Sequence, residues 1–224
     1  MRLTYKDRAD FMPKLLVVDL LAEREAFGKK GVEEIIRHFP DHDILLWAPH
    51  TSDARNYGFG TRIEQPMKSD VVVITGSRRN VSMWEDWMDE VAKLIRECEV
   101  PLYGICFGHQ IICKALGGEV QRAEEGSSFL ADVTYTDGTV KRQLFTHQDH
   151  VIDPGEMEVI GSSSHCKIAV CEHPTKPIKT VQFHPEATLE VLDYSLQCGD
   201  MNQQEREDFG DGIQDENVSQ SLLN

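Results

Sequence analysis

A chain of 224 residues, 40% of them hydrophobic, carries enough apolar material for one substantial core, and one domain is the natural expectation. Its formal charge of −15, from 38 acidic against 23 basic residues, argues against nucleic-acid binding, because such a surface repels a phosphate backbone. No apolar run approaches the roughly 20 residues that span a bilayer, and the opening MRLTYKDRAD lacks the apolar stretch of a secretory signal, so no membrane association is expected.

In chain order, residues 1–13 read as an N-terminal extension. Leu15 to Leu20 is an apolar run but for Asp19, Gly31 to Phe39 has helical spacing, and Ile44 to Ala48 is apolar again. Val71 to Thr75 and Leu102 to Ile105 continue the strand series. Between them Trp84, Trp87, Met88, Val91, Leu94 and Ile95 recur at helical spacing, and Ile111 to Leu116 begins a further helix pattern. Continuous apolar strands bracketed by helices imply an open, mostly parallel sheet covered on both faces, an α/β fold. After Gly117-Gly118 the texture changes to short β-branched runs split by turns: Ala131 to Tyr135, Glu158 to Ile160, Ile168 to Cys171 and Ile178 to Phe183. These predict a small antiparallel β extension, followed by a last helix from Glu186 to Gln197. The main domain is therefore expected over 14–198. Residues 199–224 read as an acidic C-terminal tail, since Asp200 to Glu216 holds seven acidic residues and one arginine, a pattern more typical of a solvated segment than of a docking surface.

Two short stretches carry chemistry. Gly104-Ile105-Cys106-Phe107-Gly108-His109-Gln110 places a cysteine between glycines where a strand gives way to a helix. That layout is a nucleophile elbow: the sharp turn strains its central residue, small neighbours relieve the crowding, and the helix N-terminus favours a thiolate. Val181-Gln182-Phe183-His184-Pro185-Glu186 places an imidazole and a carboxylate two residues apart just after a strand. A thiolate attacking a carbonyl needs a proton carrier for its leaving group, and the imidazole needs an anion to orient it. Cys106, His184 and Glu186 are thus the catalytic candidates. The plainer readings are an inert buried cysteine and a strand exit whose Glu186 favours the first turn of a helix. A nucleophilic Cys106 must stay a free thiol, which points to a reducing, cytoplasmic setting.

These motifs resemble the class I, triad-type glutamine amidotransferases, and in particular their free-standing, GMP-synthase-like branch, which also includes γ-glutamyl peptidases. Ile74-Thr75-Gly76-Ser77 is similar to the family's oxyanion loop, and Thr146-His147-Gln148-Asp149-His150-Val151 to the segment that cradles the substrate. The four elements lie in the family's order over about residues 14–197. The loop here continues Arg78-Arg79-Asn80, and Gln148 stands where a glycine is common; both departures point to the free-standing branch. The resemblance implies a flavodoxin-like sheet, L-glutamine as substrate, a cysteinyl γ-glutamyl thioester, and ammonia passed to a partner synthetase. It implies an oxyanion hole from the Gly76 and Phe107 N–H groups and substrate contacts from Gln110, His147 and Asp149. From the residues alone, Gly76 reads equally as a turn glycine and His147 as part of a polar loop.

No cofactor is expected, and glycine-rich phosphate cradles are absent, so ATP would bind on another protein. No metal is expected either: His165, Cys166, Cys171 and His173 cluster in sequence but lack metal-ligand spacing, and strand alternation would scatter them. Two alternatives remain: a free-standing γ-glutamyl peptidase with the same thioester chemistry, and a catalytically silent regulatory protein.

Overall fold

The computed structural model describes residues 12–210 together with Val218 and Leu222. One ten-stranded sheet organises them, in the order β3-β2-β1-β4-β5-β10-β9-β8-β6-β7. Six strands are mutually parallel: β1 (Lys14–Val18), β2 (Asp43–Trp47), β3 (Thr61–Ile63), β4 (Val71–Ile74), β5 (Leu102–Ile105) and β10 (Ile178–Val181). The remaining four, β6 (Glu119–Tyr135), β7 (Val140–Asp153), β8 (Glu158–Ser162) and β9 (Val170–Glu172), extend it antiparallel from β10.

The parallel strands are apolar throughout because both faces are covered. Leu16, Val18, Val72 and Ile74 pack with Met88, Val91 and Ile95 of α2 (Trp87–Glu97) and with Ile111 and Ile112 of α3 (Phe107–Ala115). The intervening Leu15, Val17 and Val73 pack on the opposite face with Val32 and Ile35 of α1 (Gly31–Ile36). That alternation is the period of two expected of a strand. A π-helical turn, Glu25–Lys30, leads into α1, and α4 (Leu189–Gln197) packs against it.

The α/β fold, the parallel half and the antiparallel extension follow the sequence reading, with four differences. The helix expected from Trp84 begins at Trp87, leaving Trp84 40% exposed ahead of it. The last helix starts at Leu189 rather than Glu186, capped by the Thr188 hydroxyl accepting from Val191 N–H at 3.4 Å. Residues 119–130, which show no apolar alternation, nonetheless belong to the long strand β6, and the Thr146 to Val151 segment lies within its partner β7. Finally, the first part of the expected tail is packed. The helix α5 (Gln203–Phe209) opens with a reciprocal capping box between Asn202 and Glu205, and Phe209 sits 3% exposed among Leu144, Ala187 and Leu192. The expected extension 1–13 lies largely outside the described residues.

Candidate active site

The site lies beyond the C-terminal ends of β4, β5 and β10, where an open parallel sheet leaves a crevice. Cys106 follows β5 and caps α3 with φ 51° and ψ −101°, the one non-glycine residue with positive φ among the described residues. Such a conformation costs a non-glycine residue on the order of 1–3 kcal/mol, so its surroundings must enforce it. They do so by close packing. A Cβ on Gly104 would meet Ile112 Cδ1 at 2.6 Å, and one on Gly108 would meet the Ile74 carbonyl oxygen at 2.3 Å. Only glycines let the elbow press against α3 and β4. Cys106 N–H donates to Val181 O at 2.8 Å, tying the elbow to β10.

His184 follows β10 and is 5% exposed; its own N–H donates to Leu144 O of β7 at 2.9 Å. Its Nδ1 lies 2.7 Å from Glu186 Oε1, and Glu186 is itself 2% exposed. With Nδ1 engaged by a carboxylate, Nε2 is the nitrogen left for proton transfer; it is buried and has no hydrogen bond of good geometry. Burial alone would lower the His184 pKa, but the Glu186 charge and the Cys106 sulfur beside the ring outweigh it and hold the imidazole well above its usual range. Phe27 of the π-helical turn meets the ring edge-on, with centroids 5.7 Å apart. The three catalytic candidates from β5, β10 and the turn after it are therefore brought together. Since Thr188 caps α4, Glu186 is not needed as a helix-terminal carboxylate.

Gly76 follows β4 directly against this pair: a Cβ there would stand 2.9 Å from His184 Cε1 and 3.7 Å from Cys106 Cβ. Phe107 N–H belongs to the first turn of α3 and so lacks an intrahelical acceptor. In this arrangement the Cys106 thiol donates to the Thr146 carbonyl of β7 at 3.6 Å.

The remaining expected substrate contacts are placed differently from one another. Gln110 is 3% exposed, and its amide donates to Asp149 O at 2.8 Å and to Gln182 Oε1 at 3.1 Å, so it braces the pocket wall. The Asp149 carboxylate accepts from Ser82 N–H at 2.7 Å and Ser82 O–H at 2.8 Å, anchoring the loop after Gly76 instead of facing open space. His147 donates from Nδ1 to Asp149 O at 2.9 Å, and burial pushes its pKa down to about 3, leaving a neutral ring.

A family profile described as glutamine amidotransferase class-I matches residues 47–197, a span that includes Gly76, Cys106, His184 and Glu186. The chain belongs to the class I glutamine amidotransferases. A glutamine-hydrolysing GMP synthase component from Methanothermobacter thermautotrophicus is 38% identical over 101 residues, 41% of this chain and 54% of that one. Gamma-glutamyl peptidase 2 of Arabidopsis thaliana is 32% identical over 147 residues, 58% of this chain and 59% of its own. The aligned parts thus span little more than half the length of either relative. A solved glutamine amidotransferase from Thermotoga maritima shares the fold, with a TM-score of 0.63 at 18% identity over 93% of this chain and 97% of its own.

In this amidotransferase two cavities meet at the catalytic pair. A cleft of about 450 Å³ is lined by Cys106, Phe107 and Gln110, by Ser77 to Asn80, and by Thr146 to Asp149. A smaller cavity of about 190 Å³ touches His184, Phe27, Arg24, Leu144 and, from the C-terminal segment, Met201 and Phe209. Ser77, Arg78 and Thr146 line both. Sequence reasoning missed Ser82 and Gln182, which hold Asp149 and Gln110. It also missed Arg24, which pairs with Asp200 at 2.9 Å to seat the C-terminal segment beside the site. Gln182 stood inside the VQFHPE motif; nothing in the sequence singled out Ser82 or Arg24.

Proposed function

We propose that this chain hydrolyses the side-chain amide of L-glutamine through a γ-glutamyl thioester on Cys106. The observation that carries the reading is the buried His184–Glu186 contact of 2.7 Å directly beside a cysteine in elbow geometry. With the Cys106 proton already held on His184, whose imidazole Glu186 keeps charged, Cys106 Sγ bonds to the amide carbon, and the Gly76 and Phe107 N–H groups receive the developing oxyanion, each worth about 3 kcal/mol to the transition state. The tetrahedral adduct collapses as His184 protonates the leaving nitrogen, releasing ammonia and leaving the thioester. Water, deprotonated by the same imidazole, then attacks the thioester, and glutamate departs as the thiol is restored. Gln110, with His147 and Asp149, keeps the wall of the 450 Å³ cleft in place for the glutamine backbone. Ammonia goes to a synthetase activity on a separate partner chain, and the catalytic unit runs over 14–198.

Cys106→Ala or His184→Ala should reduce glutaminase activity to background, and a diazo-ketone glutamine analogue should alkylate Cys106 alone. Ordinary turnover in Cys106→Ala would overturn the assignment.

One observation favours a second substrate class for the same chemistry. The 190 Å³ cavity lies on the His184 side, where the leaving group departs, and far exceeds the roughly 30 Å³ occupied by a water-sized molecule. Arg78 among its lining residues suits an amine component bearing a carboxylate, as in a γ-glutamyl peptide, while Arg24 on the same wall is already paired with Asp200. Incubation with glutamine and, separately, with glutathione separates the two readings by ammonia against dipeptide release.

A further inference from the structure

Four histidines and cysteines that the sequence grouped, His165, Cys166, Cys171 and His173, do not converge on one point. The fold instead hands Cys166 and Cys171 to different neighbours. Cys171 lies with His109 and Cys113, and Cys166 with His147 and His150, each trio keeping its candidate ligand atoms within 4.8 Å of one another. The first trio is occupied by its own hydrogen bonds. His109 is fully buried; Nε2–H donates to Ile168 O at 3.1 Å and the Nδ1 lone pair is taken by the Thr180 hydroxyl at 2.8 Å, so neither ring nitrogen is open to a metal.

The second trio differs at the atom that matters. His147, 8% exposed, donates Nδ1–H to the Asp149 carbonyl, and its Nε2 is buried without a hydrogen-bond partner. A ring whose far N–H is fixed by a backbone carbonyl, with the other nitrogen unpartnered, is the arrangement in which histidine ligates metals. The His147 and His150 rings meet edge to face with centroids 4.5 Å apart, and Cys166 is 2% exposed on the segment between β8 and β9, its S–H donating to Ile168 O at 3.4 Å, a bond that leaves the sulfur lone pairs free. We propose that His147, His150 and Cys166 form a site for a borderline-soft divalent cation of the zinc class, with a fourth position for water. A nitrogen–nitrogen–sulfur set suits zinc rather than magnesium or calcium, which take oxygen ligands. Bond lengths of about 2.0–2.3 Å place tetrahedral ligands about 3.3–3.6 Å apart, so the trio closes by roughly an ångström on binding. The two imidazoles supply lone pairs from neutral rings, while the Cys166 S–H gives its proton to solvent as the sulfur–metal bond forms, about one proton per ion.

The site adjoins the catalytic cleft without sharing its nucleophile. His147 lines the cleft, and the preceding residue, Thr146, supplies the carbonyl that accepts the Cys106 thiol. Occupancy therefore fixes the β7 wall, and its effect on catalysis should appear in the KM for the γ-glutamyl substrate.

The test titrates the full chain, stripped by a chelator, with Zn²⁺ and with Co²⁺. One equivalent should bind, with the Co²⁺ complex showing thiolate-to-metal absorption. Cys166→Ser should abolish that absorption, and His150→Ala should weaken Zn²⁺ binding by at least about tenfold. Cys106→Ala should bind as the wild type does. Should Cys166→Ser fail to fold, the partly exposed His150 carries the comparison alone. Binding that vanishes in Cys106→Ala yet survives in His150→Ala would place the ion on the catalytic thiol and overturn the proposal, as would dissociation constants no tighter than about 1 mM.

Discussion

His184 holds two opposed demands: it is almost wholly buried, which disfavours its charge, yet a carboxylate at 2.7 Å sustains that charge. Glu186→Gln keeps the shape and removes the anion, so the imidazole pKa should fall. Turnover should drop by about 10² or more with little change in KM, because orientation and proton affinity are lost together; a change of less than threefold would count against the triad. The linked stability effect has a definite sign. A folded pKa raised above the unfolded value stabilises fully below about pH 6.5, and the contribution fades as pH climbs through the raised folded pKa. The wild-type advantage in Tm over Glu186→Gln should therefore be larger at pH 6 than at pH 10, as thermal unfolding at the two values will show. Gly76→Ala tests the opposite side of the ring. Its Cβ, 2.9 Å from His184 Cε1, must displace either the imidazole or the loop, and kcat should fall at least tenfold while the protein still folds. Cys106, His184 and Glu186 were legible because their motifs are local. The engagement of Asp149 with Ser82 was not, since it joins residues 67 apart through a loop with no pattern of its own.

Among the elements, the elbow depends on how closely α3 approaches β4. Gly108 makes that approach possible, and Gly108→Ala forces a Cβ to within 2.3 Å of the Ile74 carbonyl oxygen. Overpacking of this kind costs about 1–3 kcal/mol, so chemical denaturation should reveal a lowered midpoint together with a loss of activity beyond what unfolding explains. The parallel strands were readable as continuous apolar runs because both of their faces are buried. The hairpin of β6 and β7 was not: β6 is largely exposed and carries polar residues where alternation should be, and its pairing slips between Arg122 and Ser127. Its strand character comes from β7 and the pairing ladder, a tertiary override of local preference. That same hairpin brings Thr146 and His147 to the site, so the poorly legible element is the one that completes it.

For the whole molecule, the acidic excess does not keep residues 200–210 from docking on the domain. Asp200 pairs with Arg24, α5 caps itself, and Phe209 fills a small cluster under the sheet extension, while Leu222 joins a core cluster. A count of charges missed this because one buried phenylalanine and two helix-cap residues outweigh several solvated carboxylates. Phe209→Ala should cost about 3 kcal/mol, the lower end for so large a truncation at a peripheral cluster, and lower Tm by about 6–12 °C. A Tm within 2 °C of wild type would mean that the segment is not seated as described. Because Ser77, Arg78 and Thr146 line both cavities, the proposed hydrolysis has a second chamber adjoining the one that holds Cys106. In that proposed reaction, an amine freed while the acyl group stays on sulfur has the smaller chamber beside the imidazole to enter, and water can reach the thioester from the larger one.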